Sequence, residues 1–354
     1  MDTLDNKIGG TFDNLAQRLI YPYVLTFPEF EHVEREDVSE TAQRHMHVFL
    51  RSALSAIYAN PHMIGLPIEE DDCFIDEPKK AKPVLYNTMR KLEKSFLSFF
   101  TVLFELGLHG EVIDGKLCIP KAKKDVNKPK QAILSHIGLV CETEKDKSIL
   151  FSPELPELCH GWKALSEHAG ANGNGDAMGK CPAGLYFLKC LYMNGPIPIS
   201  RLYGKLKQSG GHLEELEAFL LEQGYVYQEY DGSYCLLKAC KGNKDGKFKI
   251  LFDSHKRSQL TYYYEIPGFT RLVTNHFDEM DDSLKNFVFA HTSKCGHCGY
   301  CTKTGTHRLM SVMLTLPSQT EEKCPLYAGF EWDSLYEENV VMVKRLIEFA
   351  IKML

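Results

Sequence analysis

Three cysteines within seven residues, Cys295, Cys298 and Cys301, constrain this chain more than any other feature. They are spaced Cys-x2-Cys-x2-Cys, and after 22 further residues comes a fourth, Cys324, followed by Pro325. Thiols at such intervals suit a shared metal ion, because a tetrahedral centre takes its ligands from short turns and from one distant return of the chain. Residues Leu309 to Leu316 read as a strand, so the chain is expected to come back and set Cys324 beside the first three. Gly296, Gly299 and Gly305 permit tight turns that aim backbone N–H groups at sulfur. Lys294, Lys303 and Arg308 are expected to offset part of the charge of four thiolates on one divalent ion and to favour deprotonation. The predicted ligand set is therefore Cys295, Cys298, Cys301 and Cys324, holding zinc, and four cysteines make the nearby His297 and His307 unnecessary as ligands. A zinc ion closed by four cysteines has no open position and is structural.

A second metal fits the same spacing. The run with its remote Cys-Pro resembles half of a bacterial ferredoxin, which implies a 4Fe-4S cluster on the same four residues. The chain departs from that pattern in having no second run and no cysteine three residues after Cys301. Free or redox-sensing thiols are the third reading. The stretch from Cys295 to Phe330 also resembles that of a group of uncharacterised proteins from anaerobic Firmicutes. They share the Cys-x-x-Cys-x-Tyr-Cys run and a downstream Cys-Pro before a helix. That resemblance implies no activity.

Size and composition narrow the rest. At 354 residues, two or three domains are expected. A net charge of −6 weighs against a nucleic-acid binder, which would present a basic face. Met1 to Asp5 lacks the basic and apolar regions of a signal peptide. The longest apolar run, Phe96 to Leu108, is too short to span a bilayer and carries Glu105. A cytoplasmic location follows as the expectation, with no membrane partner. Twelve cysteines in a cytoplasmic chain argue against a disulfide framework, so most of the eight outside the cluster are expected to serve as buried apolar groups.

The expected fold class is α+β, multi-domain and mostly helical with short antiparallel hairpins. Residues 1–82 form a helical region. Residues 83–165 form a helix-and-hairpin domain, a candidate for a second winged-helix-like unit, with Asp114-Gly115 as a hairpin turn. A lysine cluster follows (Lys121, Lys123, Lys124, Lys128, Lys130) and reads as a solvated loop, since no aromatic residues interleave with it. Residues 166–182 are a glycine-rich linker; Gly179-Lys180 within it lacks the first glycine and the hydroxyl residue of a phosphate loop. Residues 183–266 hold three helices, Ala183–Met193, Ile199–Gln208 and His212–Gln223. A hairpin and two further strands follow. Residues 267–354 form a small metal-binding domain closed by a helix over Leu335–Met353. A shorter echo of helix end, glycine and strand links Leu134…Gly138-Leu139 with Leu220…Gly224-Tyr225. The tract His276, Asp278, Glu279, Asp281 and Asp282 reads as a solvated helix end rather than a cation site.

Three helices followed by a two-stranded wing resemble the winged-helix fold, on element order alone. In that fold the third helix enters the DNA major groove. Here it carries Glu214, Glu215, Glu217 and Glu222 with no Arg or Lys, which phosphates would repel. No nucleophile elbow, dinucleotide fingerprint or zinc-protease motif is present. The expected function is a cytoplasmic protein with a structural zinc site and an interaction or regulatory role, more a protein binder than an enzyme. An iron–sulfur electron-transfer or redox-sensing protein is the alternative, and a DNA-binding regulator the third.

Overall fold

The computed structural model describes residues 15–25, 27–66, 82–124, 126–172, 182–195, 197–203, 211–230, 233–238, 246–253, 259–266, 268–296, 311–325, 330–332 and 335–353. The fold is α+β, with helices and short sheets whose strand pairs are all antiparallel among these residues. The chain divides into two compact units, Met1–Ile197 and Pro198–Leu354. That boundary falls inside the 183–266 segment. Among the described residues no helix is long and apolar enough to cross a membrane.

The first unit contains α1 (Leu15–Leu25), α2 (Glu40–Ala59) and α3 (Lys82–His109). A four-stranded sheet follows, formed by β1 (Glu111–Ile113), β2 (Lys116–Pro120), β3 (Val140–Thr143) and β4 (Lys147–Phe151) in the order β1-β2-β4-β3. Between its two hairpins lies α4 (Lys128–His136), and after it come α5 (Leu158–Ala171) and α6 (Pro182–Leu188). Asp114 and Gly115 both have positive φ (50° and 72°), as a two-residue hairpin turn between twisted strands requires. Ser39 starts α2 by accepting from the Ala42 N–H at 3.1 Å.

Trp162 on α5 is the centre of this core. It is fully buried, stacks on Phe49 at 5.7 Å and donates Nε1–H to the Leu103 carbonyl at 2.9 Å. Glycines let three helices close on it: a Cβ at Gly161 would run into the Ala42 carbonyl of α2, and one at Gly107 into the Trp162 ring. Residues 166–171, placed in the glycine-rich linker from composition, are the last turns of α5. Leu158, Trp162, Leu165 and Ala169 bury one helical face there, and that packing outweighs the glycine content. Residues 173–181 lie outside the described residues.

A single capping device ends several helices. After α4, Leu139 N–H donates to Leu134 and Gly138 N–H to Ser135, with Gly138 at φ 90°. The helix α8 (His212–Glu222) ends the same way through Tyr225 to Leu220 and Gly224 to Leu221. These are Schellman motifs, each with an apolar residue folded back on the last turn. They account for the sequence echo noted above. Helix α6 ends on the same pattern, Leu191 to Tyr186 and Cys190 to Phe187, but with Cys190 rather than glycine at φ 54°. The expectation of a helix to Met193 is therefore corrected: it stops at Leu188 because a non-glycine residue takes the left-handed position, which no sequence cue announced.

The second unit holds α7 (Ile199–Tyr203), α8, and a five-stranded antiparallel sheet of order β11-β8-β7-β6-β5. Its strands are β5 (Val226–Tyr230), β6 (Ser233–Lys238), β7 (Gly246–Asp253), β8 (Gln259–Glu265) and β11 (Phe330–Trp332). Thus four strands run as a meander, and a segment from near the C-terminus completes the edge. Helices α9 (Phe269–His276), α10 (Asp282–His291) and α11 (Glu337–Met353) complete the unit with the two-stranded hairpin β9 (Val312–Leu316) and β10 (Gln319–Lys323). Phe287 of α10 stacks on Phe330 at 5.3 Å, and Phe269 of α9 meets the same ring edge-on at 5.5 Å.

Candidate metal centre

The candidate centre starts at the end of α10. Asp281 caps that helix by accepting from Leu284 N–H at 3.1 Å, and its carboxylate also meets Arg345 of α11 at 2.6 Å. Those two partners hold its carboxyl below the usual aspartate range, the Leu284 N–H having the larger effect. Nearby, His276 bonds Glu279 at 2.8 Å. The acidic tract thus serves as caps and ion pairs of helix ends. Thr292 closes α10, its N–H and hydroxyl both donating to the Val288 carbonyl at 3.0 and 2.6 Å. The chain then extends.

The extended stub lies against the end of β10. Lys294 and Lys323 form an antiparallel bridge, with Cys295 N–H donating to Glu322 O at 2.9 Å and Cys324 N–H to Ser293 O at 2.7 Å. β10 therefore pairs with β9 along one edge and with residues 293–295 along the other. The hairpin β9–β10 is what returns the chain. Cys295 sits opposite Glu322 in this register, so Cys324, two residues on, is its diagonal neighbour on the same face. Diagonal neighbours are about 7–8 Å apart at Cα. A disulfide needs Cα atoms within roughly 4.4–6.8 Å. A metal ion asks less, since each sulfur need only come within about 2.3 Å of the ion. The diagonal relation suits an ion held between the two thiolates better than a bond between them.

Cys324 is buried and Cys295 partly exposed. Cys298, Cys301, His297 and His307 lie outside the described residues, as do Lys303 and Arg308. Among the described residues no three His, Cys, Asp or Glu side chains are gathered as a metal group. The expected role of Lys294 changes. Strand alternation sends Lys294 and Lys323 to the face opposite the two cysteines, so Lys294 does not offset thiolate charge directly. Lys323 is buried there, 3.0 Å from Glu321 and 4.2 Å from the centre of the Phe289 ring. On the thiol face, Glu322 accepts from Ser311 Oγ at 2.5 Å.

The scattered cysteines differ in chemistry. Burial pushes the Cys159 thiol up to about 11, raises Cys141 and raises Cys190 further still. Such thiols stay protonated and serve as packing. The lysine cluster is partly engaged: Lys124 pairs with Glu105, and Lys121 donates to the carbonyls of Glu144 and Lys145 at 2.5 and 3.1 Å.

Glu217 is the functional group that residue counting misread. It is buried on α8, and its carboxylate accepts from the N–H and hydroxyl of Ser200, the N–H of Ile199 and the hydroxyl of Tyr227. It therefore caps α7 and ties α8 to β5. Its spacing gave a signal, because Leu213, Glu217 and Leu220 share one helical face. Glu214, Glu215 and Glu222 remain exposed, with Glu215 bonded to Lys344 at 2.6 Å. No family model, curated protein or solved structure matches this chain.

Proposed function

We propose that Cys295, Cys298, Cys301 and Cys324 hold a structural zinc ion that ties the second unit together, and that the protein is a cytoplasmic interaction or regulatory protein rather than an enzyme. The observation that supports this reading is the bridge Lys294↔Lys323, in whose register Cys295 and Cys324 are diagonal neighbours on one face, a relation a shared ion can span. Four thiolates leave zinc no open position, so the ion cross-links rather than catalyses. A protein partner is favoured over nucleic acid, because the exposed side of α8 carries Glu214, Glu215 and Glu222. Iron–sulfur ligation by the same residues is the competing reading.

The test is elemental analysis and a visible spectrum on protein purified without oxygen. About one zinc per chain with no visible band is expected of a closed four-thiolate site. Iron with acid-labile sulfide and a brown colour would replace zinc by a cluster and redirect the function to electron transfer or redox sensing. Cys298→Ser is expected to lower the melting temperature of the second unit; a variant melting like the wild type would remove the site's structural role. Duplex DNA binding that weakens with salt would replace the protein-partner reading by the regulator one.

A further inference from the structure

In the first unit, residues 27–39 join α1 to α2 without regular secondary structure, and side chains rather than a ladder hold them down. Buried Gln43 grips Val33 at both ends of its amide, donating to the Val33 carbonyl at 2.7 Å and accepting its N–H at 3.2 Å. His47 Nε2 donates to the Pro28 carbonyl at 2.8 Å. The far end is held by Arg35. Its Nε and Nη2 donate to Asp37 at 2.8 and 2.7 Å, and its Nη1 reaches His168 Nδ1 of α5 at 2.7 Å.

The partners of His168 fix its protonation. A guanidinium only donates, so Nδ1 must be the bare nitrogen. The Met193 carbonyl only accepts, so Nε2 carries the proton and donates to it. Both nitrogens of a neutral imidazole are thereby used, and the next proton has only Nδ1 to enter. It would place an N–H against the Arg35 N–H and a second positive charge beside the guanidinium.

We propose that the Arg35–His168 contact is an acid-sensitive clasp: protonation of His168 Nδ1 expels Arg35 and frees residues 28–37 from α5. The groups facing His168 support the direction. Asp37 and Arg35 approach from the segment itself, the Tyr186 ring of α6 lies edge-on at 5.5 Å, and Asn172 Nδ2 sits 3.3–3.4 Å from the ring nitrogens. On α5, Glu167 is paired with Lys163 at 3.0 Å. Tyr192, near Arg35, gives its hydroxyl hydrogen to the Gly161 carbonyl at 2.6 Å. Burial first, and the Arg35 charge after it, keep His168 below the ordinary 6.5, so it is neutral at pH 7. Asp37 stays charged throughout, since its bond with Arg35 lowers its pKa. His47 does not open the clasp. Arg44 and Arg51 on its own helix and the rings of Phe27 and Phe30 surround it, and proton uptake at its Nδ1 leaves the Nε2–Pro28 bond in place.

Hydrogen exchange on the full chain at pH 7.5 and pH 5.0, corrected for the intrinsic pH dependence of exchange, tests this. Wild-type peptides covering 28–37 are expected to exchange about fivefold faster at the lower pH, the factor one lost hydrogen bond contributes to a local opening. Unchanged protection overturns the proposal. His168→Asn keeps an acceptor near the Nδ1 position and cannot be protonated, so its peptides should show no acid-driven rise. Arg35→Met should show the faster exchange already at pH 7.5 with no further rise. The same acid-driven rise in either variant also overturns the clasp.

Discussion

Glu217 lies on the face of α8 that carries Leu213 and Leu220, and four donors from Ile199, Ser200 and Tyr227 converge on its carboxylate. Glu217→Ala would leave those donors in a buried place without an acceptor. A loss of about 3 kcal/mol in the second unit is expected, read by denaturant unfolding. A loss under about 1 kcal/mol would show that water replaces the carboxylate. Tyr262 presents the opposite case. Its hydroxyl is buried with no partner among the described residues, and so is Nε1 of Trp332, its cross-strand neighbour on β11. Burial raises the Tyr262 pKa, with the Glu214 charge adding to it. Tyr262→Phe removes an unsatisfied group at little cost in volume, so stability should hold or rise, and a drop of more than about 1 kcal/mol would expose a hidden partner. A glutamate at an apolar position was legible in the sequence; the donors waiting for it were not, because they come from two other elements.

Helix ends and crossings set the second scale. Gly161 and Gly138 are both glycines in or beside helices, yet their substitutions should differ in kind. Gly161→Ala forces α2 and α5 apart at the Ala42 carbonyl, and a loss of roughly 3 kcal/mol is expected from such overpacking. Gly138→Ala meets no atom within 4 Å but must hold φ near 90°, so only about 1 kcal/mol should go. Equal losses in thermal melts of the two variants would refute the distinction. The histidines act at this scale too. Burial, the largest cause at each, lowers the pKa of both His47 and His168 in the folded unit. The unfolded chain then binds more protons than the folded one below pH 6.5, so stability of the first unit should decline as pH falls through that range. Flat unfolding midpoints between pH 7.5 and pH 5.5 would contradict this. The sequence located the helix α3, the Asp114-Gly115 hairpin, α8 and the C-terminal helix, because apolar periodicity and turn residues act locally. It missed α5 altogether and assigned its last turns to the glycine-rich linker, because the packing that makes this segment a helix comes from other elements.

Each compact unit contains one tryptophan, Trp162 in the first and Trp332 in the second, which makes the whole molecule readable by fluorescence. A structural metal contributes its binding energy to folding of the unit that holds it. Removal of the proposed zinc ion by a strong chelator should therefore shift the Trp332 transition to lower temperature and leave the Trp162 transition in place. Single-tryptophan variants, Trp162→Phe and Trp332→Phe, separate the two signals. A chelator that shifts both equally, or neither, would refute the assignment of the metal to the second unit.

By itself the sequence determined the α+β class, most element positions and the spacing of four cysteines, because periodicity, turn chemistry and thiol intervals are local properties. It also read a strand over Leu309 to Leu316, of which Val312–Leu316 is β9, but did not name β10, the strand whose end meets residues 293–295. Only the tertiary structure decided the register of that return, and with it the face on which each residue lies. The bridge at Lys294 and Lys323 turns both lysines away from the thiols, and a shift of one residue would have reversed this. Tertiary structure likewise decided that β11 completes a sheet begun a hundred residues earlier and that His168 meets Arg35 across 133 positions. Such pairings depend on which apolar faces bury together, and local sequence carries no record of that choice.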